Sequence, residues 1–323
     1  MELSIDLETY CECPIKYGVQ RYVDDPSFEI LLFAYSFNGG PVTVVDMTKD
    51  ELPSQVIDAL YDPAVTKTAF NANFEMTCLR KFFPDADFTN WECSSVLALY
   101  SSLPTSLDGV AQALKMDAQK DRRGKALIQY FSVPCKPTKT NGGRTRNLPT
   151  DAPDKWAEFI EYNRQDVVVE IEIRKRLISV KPPKVEHDYW LMDLQINRNG
   201  IAVDNGMIRN ALDFDARFKE TLLQEAQEIT GLDNPNAPMR LKEWVEGQLG
   251  HSIEGITKAC VAGLLKSDIP ANVRRVLELR QMLGKTSVKK YLAMQNAECS
   301  DGRIHGMLQF YGAMRTGRWA GRI

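Results

Sequence analysis

The hydrophobic pattern of this chain changes character at Lys181-Pro-Pro-Lys184. Ahead of that point apolar residues come in short runs divided by turn residues, which is how strands alternating with helices are written. Beyond it they recur at helical spacing over long stretches. A chain patterned in this way must build an α/β layer structure first and a mainly helical one afterwards. In the first part, residues 2–8, 29–37 and 41–47 read as strands, the last two joined by a turn at Gly39-Gly40. A helix follows at about 50–61. A strand at 66–71 runs into the helix "NFEMTCLRKFF", which Pro84 closes. Two or three helices are expected over 94–132, a loop over the Gly-, Pro- and Thr-rich stretch 135–153, and a long helix from Asp154 to about residue 180. In the second part helices are expected at about 185–198, 204–230, 239–249, 257–266 and 270–297, with the last twenty residues extended.

With 323 residues, 44% of them hydrophobic, the chain can bury substantial cores, and its length favours two domains. The net charge of −3 sets up no overall basic field, so contact with nucleic acid would have to use a local basic strip. Seven cysteines without a C-x-x-C pair suggest neither a disulfide framework nor a zinc site. The longest apolar run, "ILLFAYSF", is far short of the roughly 20 residues that span a bilayer. The first residues have no cleavable leader pattern. A soluble, cytoplasmic protein with no membrane partner is expected.

Carboxylates carry the chemistry. In "SIDLET" the two-residue period of a strand puts Asp6 and Glu8 on one face, about 7 Å apart, and Ile5 and Leu7 on the other. Two such groups can share a divalent cation, although the bare D-x-E pattern is common by chance. In "FIEYNRQDVV" Tyr162 and Asp166 lie four apart on a helix and face the same way, with Asp166 in an apolar stretch where a lone carboxylate is costly to bury. In "FNANFE" Asn71 and Glu75 stand at a strand-to-helix junction. Each segment taken alone also reads as ordinary secondary structure.

In order and spacing, "DLE" (6–8), "NANFE" (71–75) and "YNRQD" (162–166) resemble the D-x-E, N-x-x-[FY]-D and Y-x-x-x-D motifs of the DEDDy 3′→5′ exonucleases, whose fold is ribonuclease H-like. The one departure is Glu75, where the family pattern has Asp. The resemblance implies that Asp6 bridges two divalent ions, that Glu8 and Asp166 complete the ion on the nucleophile side, and that Glu75 supports the other. Tyr162 would orient the attacking water. An all-oxygen ligand set suits Mg²⁺ or Mn²⁺, and ions about 4 Å apart can activate a water and stabilise a leaving oxygen. His187, His251 and His305 lie outside the motifs, which favours the tyrosine branch over the histidine one.

The second part, with "VRRVLELRQMLGKTSVKKYLAM", "RIHG" and "TGRW", looks like the thumb and first palm strands of a family A DNA polymerase, the bacterial polymerase I and phage type. The implied organisation is an exonuclease domain at 1–180, a linker at 181–184, a helical thumb at 185–298 and a palm entry at 299–323. No 5′-nuclease domain is expected ahead of Asp6, and no polymerase site within the chain. Lys285, Ser287, Lys289 and Lys290 become candidate contacts to duplex phosphates and Arg318 to the minor groove; Thr9, Asn71 and Arg315 are counted as DNA-contacting with them. "LGKTS" is not a phosphate-binding loop, because a P-loop needs Gly where Leu279 stands and a preceding strand.

The leading expectation is a metal-dependent DNA 3′→5′ exonuclease of the proofreading type. One alternative is a DNA-binding assembly subunit that docks a separate palm-and-fingers chain; another is a ribonuclease D-like RNA exonuclease. The basic loop residues Lys136, Lys139, Arg144 and Arg146 are equally compatible with phosphate contact and with plain solvation. The strand "HGMLQFYGAMRTG" is expected to lack a sheet partner.

Overall fold

The computed structural model describes residues 1–116, 124–313 and 316–322. They form two compact units, Met1–Val203 together with Ala297–Ile323, and Asp204–Asn296. The expected linker at 181–184 runs inside the first unit.

The first unit is built on β1 (Glu2–Tyr10), α1 (Val19–Asp24), β2 (Glu29–Phe37), β3 (Thr43–Asp46), α2 (Ser54–Tyr61), β4 (Thr66–Ala69), α3 (Ala72–Phe82) and β5 (Trp91–Cys93). These are followed by α4 (Ser94–Tyr100), α5 (Leu107–Ala113), α6 (Gly124–Phe131), α7 (Pro153–Leu177) and α8 (Lys184–Asn199). The strands make one mixed sheet in the order β3-β2-β1-β4-β5. Antiparallel pairing joins β1 to β2 and β2 to β3, and parallel pairing joins β1 to β4 and β4 to β5. This is the ribonuclease H-like mixed sheet anticipated from the sequence. Neither the helix α1 nor the three-residue β5, which is too short to show a period, was anticipated.

β1 is central, so both its faces are covered. Leu3, Ile5 and Leu7 pack into a core with Val56 and Leu60 of α2 and Met76 and Leu79 of α3. The opposite face lies under α7, where Tyr162 and Phe159 join Leu31 and Leu32 in one cluster and Val167 and Ile171 meet Ala34 in another. α7 is pinned at both ends. Near its start the buried Trp156 indole donates to Asp46 Oδ2 at 2.8 Å; near its end the buried Arg174 donates to Glu2 Oε2 at 3.0 Å and to Glu92. Those anchors set which residues of α7 stand over Asp6 and Glu8.

The unit is completed by β6 (Ile201–Ala202), which pairs with β7 (Arg303–Ile304), and by β8 (Leu308–Ala313), which pairs with β9 (Arg318–Gly321). The expectation of a partnerless terminal strand is thereby corrected. Gly317 takes a positive φ of 64° and lets the chain reverse, so β9 supplies the partner. The Asn197 side chain also brackets the backbone of Leu308, accepting from its N–H and donating to its carbonyl, both at 2.9 Å.

The second unit holds α9 (Asn205–Thr230), α10 (Pro238–Leu249), α11 (Lys258–Leu264), α12 (Ala271–Leu283) and most of α13 (Lys289–Ala297). Asp204 caps α9 by accepting from the Met207 N–H at 2.8 Å, and Gly231 ends it in the left-handed region. Its core gathers Leu241, Val245, Ile256, Val261, Val273, Val276 and Leu277. The single helix expected over 270–297 is two helices. α12 stops at Gly284, and Thr286 and Ser287, both weak helix formers, sit in the turn before α13. Among the described residues no helix is long and apolar enough to cross a membrane.

Candidate active site

Asp6 and Glu8 sit on the α7-facing side of β1, opposite Ala34 and Leu32 of β2, and the β1–β2 register shifts just after Glu8. α7 brings Asp166 over them. One carboxylate oxygen from each of Asp6, Glu8 and Asp166 lies within 4.8 Å of the other two. At that separation and an effective dielectric near 20, two unit negative charges repel by roughly 3.5 kcal/mol. Three ionised groups at this spacing need a cation among them or must hold protons.

The same cleft, of about 460 Å³, is also lined by Thr9, Asn71, Glu75 and Tyr162. Glu75, in the first turn of α3, is buried, and its Oε2 has no hydrogen-bond partner among the described residues. Burial first, and then the Asp6 charge, push its carboxyl well above the usual range. Tyr162 is also buried and is hydrogen-bonded to Asp166. Burial above all, then the charges of Glu8, Asp166 and Asp6, keep its hydroxyl protonated. The sequence-predicted set Asp6, Glu8, Glu75, Tyr162 and Asp166 therefore lines one hollow. Hard oxygen donors, the crowding of charge and a buried acceptor on Glu75 all fit a divalent cation.

Two residues of this site were missed in the sequence. Asn163 is fully buried, and its Nδ2 donates to Asp6 Oδ2 at 2.6 Å. Its signal was a polar side chain on the buried side of α7, next to Tyr162. Gly124 opens α6 against the Tyr162 ring, where a Cβ would stand 2.0 Å from Cε2. No pattern around it announces that approach.

Of the other candidates, Thr9 and Asn71 border this cleft and the rest lie elsewhere. Thr9 is buried with its hydroxyl 2.9 Å from that of Tyr22, whereas Asn71 is exposed at the cleft edge. Lys285, Ser287, Lys289 and Lys290 are exposed on the α12–α13 turn and the first turn of α13, in the second unit. Arg318 is exposed in β9, and Arg315 lies outside the described residues. In the basic loop, Arg144 pairs with Asp151 at 2.8 Å and Arg146 with Glu29 at 2.6 Å, the latter stacked over Tyr10. Those two arginines hold the loop in place, and Lys136 and Lys139 remain exposed.

No family model matches the chain. It is 49% identical over 324 residues to the DNA polymerase of Bacillus phage SP02, an alignment covering 99% of this chain and 50% of that protein. Among solved structures, the POL domain of Pol1 from M. smegmatis, in complex with DNA primer-template and dNTP, matches with a TM-score of 0.51 at 15% identity. That match covers 99% of this chain and 50% of the other. Escherichia coli RNase D, an exoribonuclease involved in structured RNA processing, matches over 97% of this chain and 75% of its own at a TM-score of 0.36 and 12% identity, a likeness too loose to bear on substrate. The chain spans about half the length of the phage relative.

Proposed function

We propose that this chain, the counterpart of about half of a phage DNA polymerase, is a metal-dependent 3′→5′ exonuclease that trims DNA to nucleoside monophosphates, as a proofreading activity does. The observation that carries this reading is the convergence of Asp6, Glu8 and Asp166 within 4.8 Å beside the buried Tyr162. A pair of Mg²⁺ or Mn²⁺ ions held by Asp6, Glu8, Asp166 and Glu75 would lower the pKa of a water and offset charge on the departing 3′-oxygen. Asp6 is steadied by the amide of Asn163. Glu75 reaches the cleft from the first turn of α3. Tyr162, protonated and held by Asp166, presents a hydroxyl that can orient the attacking water. DNA is preferred to RNA as substrate because of the phage polymerase relationship.

On the same reading, Lys285, Ser287, Lys289 and Lys290 contact duplex phosphates. DNA synthesis would call on residues from the remaining half of the relative, whether on one chain or on a separate one. The nuclease assignment is tested with 5′-labelled single-stranded DNA and Mg²⁺ or Mn²⁺. The wild type should give a ladder of shortened products, and Asp6→Ala/Glu8→Ala should give none. A silent wild type, or a ladder that persists in the double variant, overturns the assignment.

A further inference from the structure

Three hollows of the first unit adjoin one another through shared side chains. The carboxylate cleft meets a second hollow, of about 260 Å³, at Asn71. The second meets a third, of about 520 Å³, at Gln20, Asn73 and Leu194. One edge of this route is α3 itself: Asn73, Thr77 and Arg80, at helical spacing, line the third hollow. The walls are rich in amides, which can donate to sugar and phosphate oxygens without reading bases.

At the far end stand two guanidinium groups. Arg80 lies over the Phe88 ring, 3.7 Å from its centre. Arg198, exposed near the end of α8, donates to Gln195 Oε1 at 2.6 Å. Neither forms an ion pair among the described residues. The carboxylates along the route are already engaged: Asp87 holds Lys67, and Asp193 accepts from Asn197 and Trp319. Burial, and then the charge of Arg198, bring Arg80 down to about 10. Two like charges facing one hollow are relieved by an anion, and planar forks suit a phosphate.

We infer that this route carries the single strand leading into the carboxylate cleft, with one backbone phosphate held between Arg80 and Arg198. The inference rests on the exonuclease reading for its direction: the 3′ end lies at Asp6 and the strand runs back along α3. From Asn71 to Arg80 the helix rises roughly 14 Å, so a single nucleotide bound at the carboxylates does not reach the arginines.

The test compares the full chain with Arg80→Ala/Arg198→Ala and with Arg198→Glu, whose exposed side chain can change without disturbing the core. Binding of fluorescein-labelled oligothymidylate is read by anisotropy with Ca²⁺ in place of Mg²⁺. Both variants should bind about tenfold more weakly, as the loss of a charge-assisted contact predicts. The slope of log Kd against log salt should fall by about 0.7, the value for one phosphate contact on a single strand. With Mg²⁺, kcat/KM for the oligonucleotide should fall about tenfold further than kcat/KM for the nitrophenyl ester of thymidine 5′-monophosphate. Affinity and salt slope matching the wild type in Arg198→Glu overturn the inference. A wild type that cleaves neither substrate overturns the nuclease reading instead, while the anisotropy measurement still decides whether the strand takes this route.

Discussion

At Asp6 two demands meet. The carboxylate must point into a cleft already crowded with negative charge, and on the nuclease reading it must stay where a cation can be shared with Glu8 and Asp166. The Asn163 amide answers the second demand with a 2.6 Å hydrogen bond from a fully buried position. Partners of this kind typically change metal affinity or activity by about 10–100-fold when removed. Asn163→Ala should therefore shift the Mn²⁺ concentration for half-maximal cleavage upward by about tenfold or more. Direct Mn²⁺ binding by calorimetry should weaken in step. Cleavage lost without any change in Mn²⁺ binding would mean that Asn163 does not act through the ion.

Among the elements, β5 is the shortest strand of the five-stranded sheet, with three residues. Beside its backbone pairing with β4, an ion pair fastens the segment that leads into it. Lys67 of β4 is fully buried, and its ammonium donates to Asp87 Oδ2 and to the Asp62 carbonyl, both at 2.8 Å. Burial raises the Asp87 carboxyl, but the hydrogen bonds from Lys67 and Thr89 outweigh it and hold the group down at about 2. A carboxylate depressed in the folded state stabilises fully above its unfolded pKa of about 4. That contribution fades as pH falls toward about 2. Asp87→Asn strands a buried ammonium and should cost about 3 kcal/mol at neutral pH, measured by urea unfolding. The difference between wild type and variant should shrink as pH drops from about 4. A gap that stays constant across that range would contradict the assignment.

For the whole molecule, the second unit is one continuous segment, Asp204–Asn296, with its own cores. The first unit closes without it, because β6 ends at Ala202 and pairs with β7 at Arg303–Ile304. Joining Val203 to Ala297 through a short glycine-rich linker should leave a protein that melts cooperatively. It should still cleave the nitrophenyl nucleotide ester with Mn²⁺, while duplex affinity falls. A product without a cooperative transition would show that the first unit depends on the segment removed.

The sequence by itself determined the local elements with the strongest patterns. β2 was legible as Glu29–Phe37, α7 emerged within a few residues of its ends, and the turn at Gly39 follows from a residue that tolerates a positive φ. It also made the candidate carboxylates legible, Asp166 because a buried carboxylate is costly enough to stand out from an apolar stretch, and Asp6, Glu8 and Glu75 through the order and spacing of three short motifs. Only the tertiary structure decided what lies between distant segments. Gly124 against the Tyr162 ring, Asn163 on Asp6, β6 beside β7 and the pairing of Lys67 with Asp87 are contacts across chain separations that no local period encodes. The physical reason is that periodicity reports which side of an element is buried, whereas a site depends on which other element buries it.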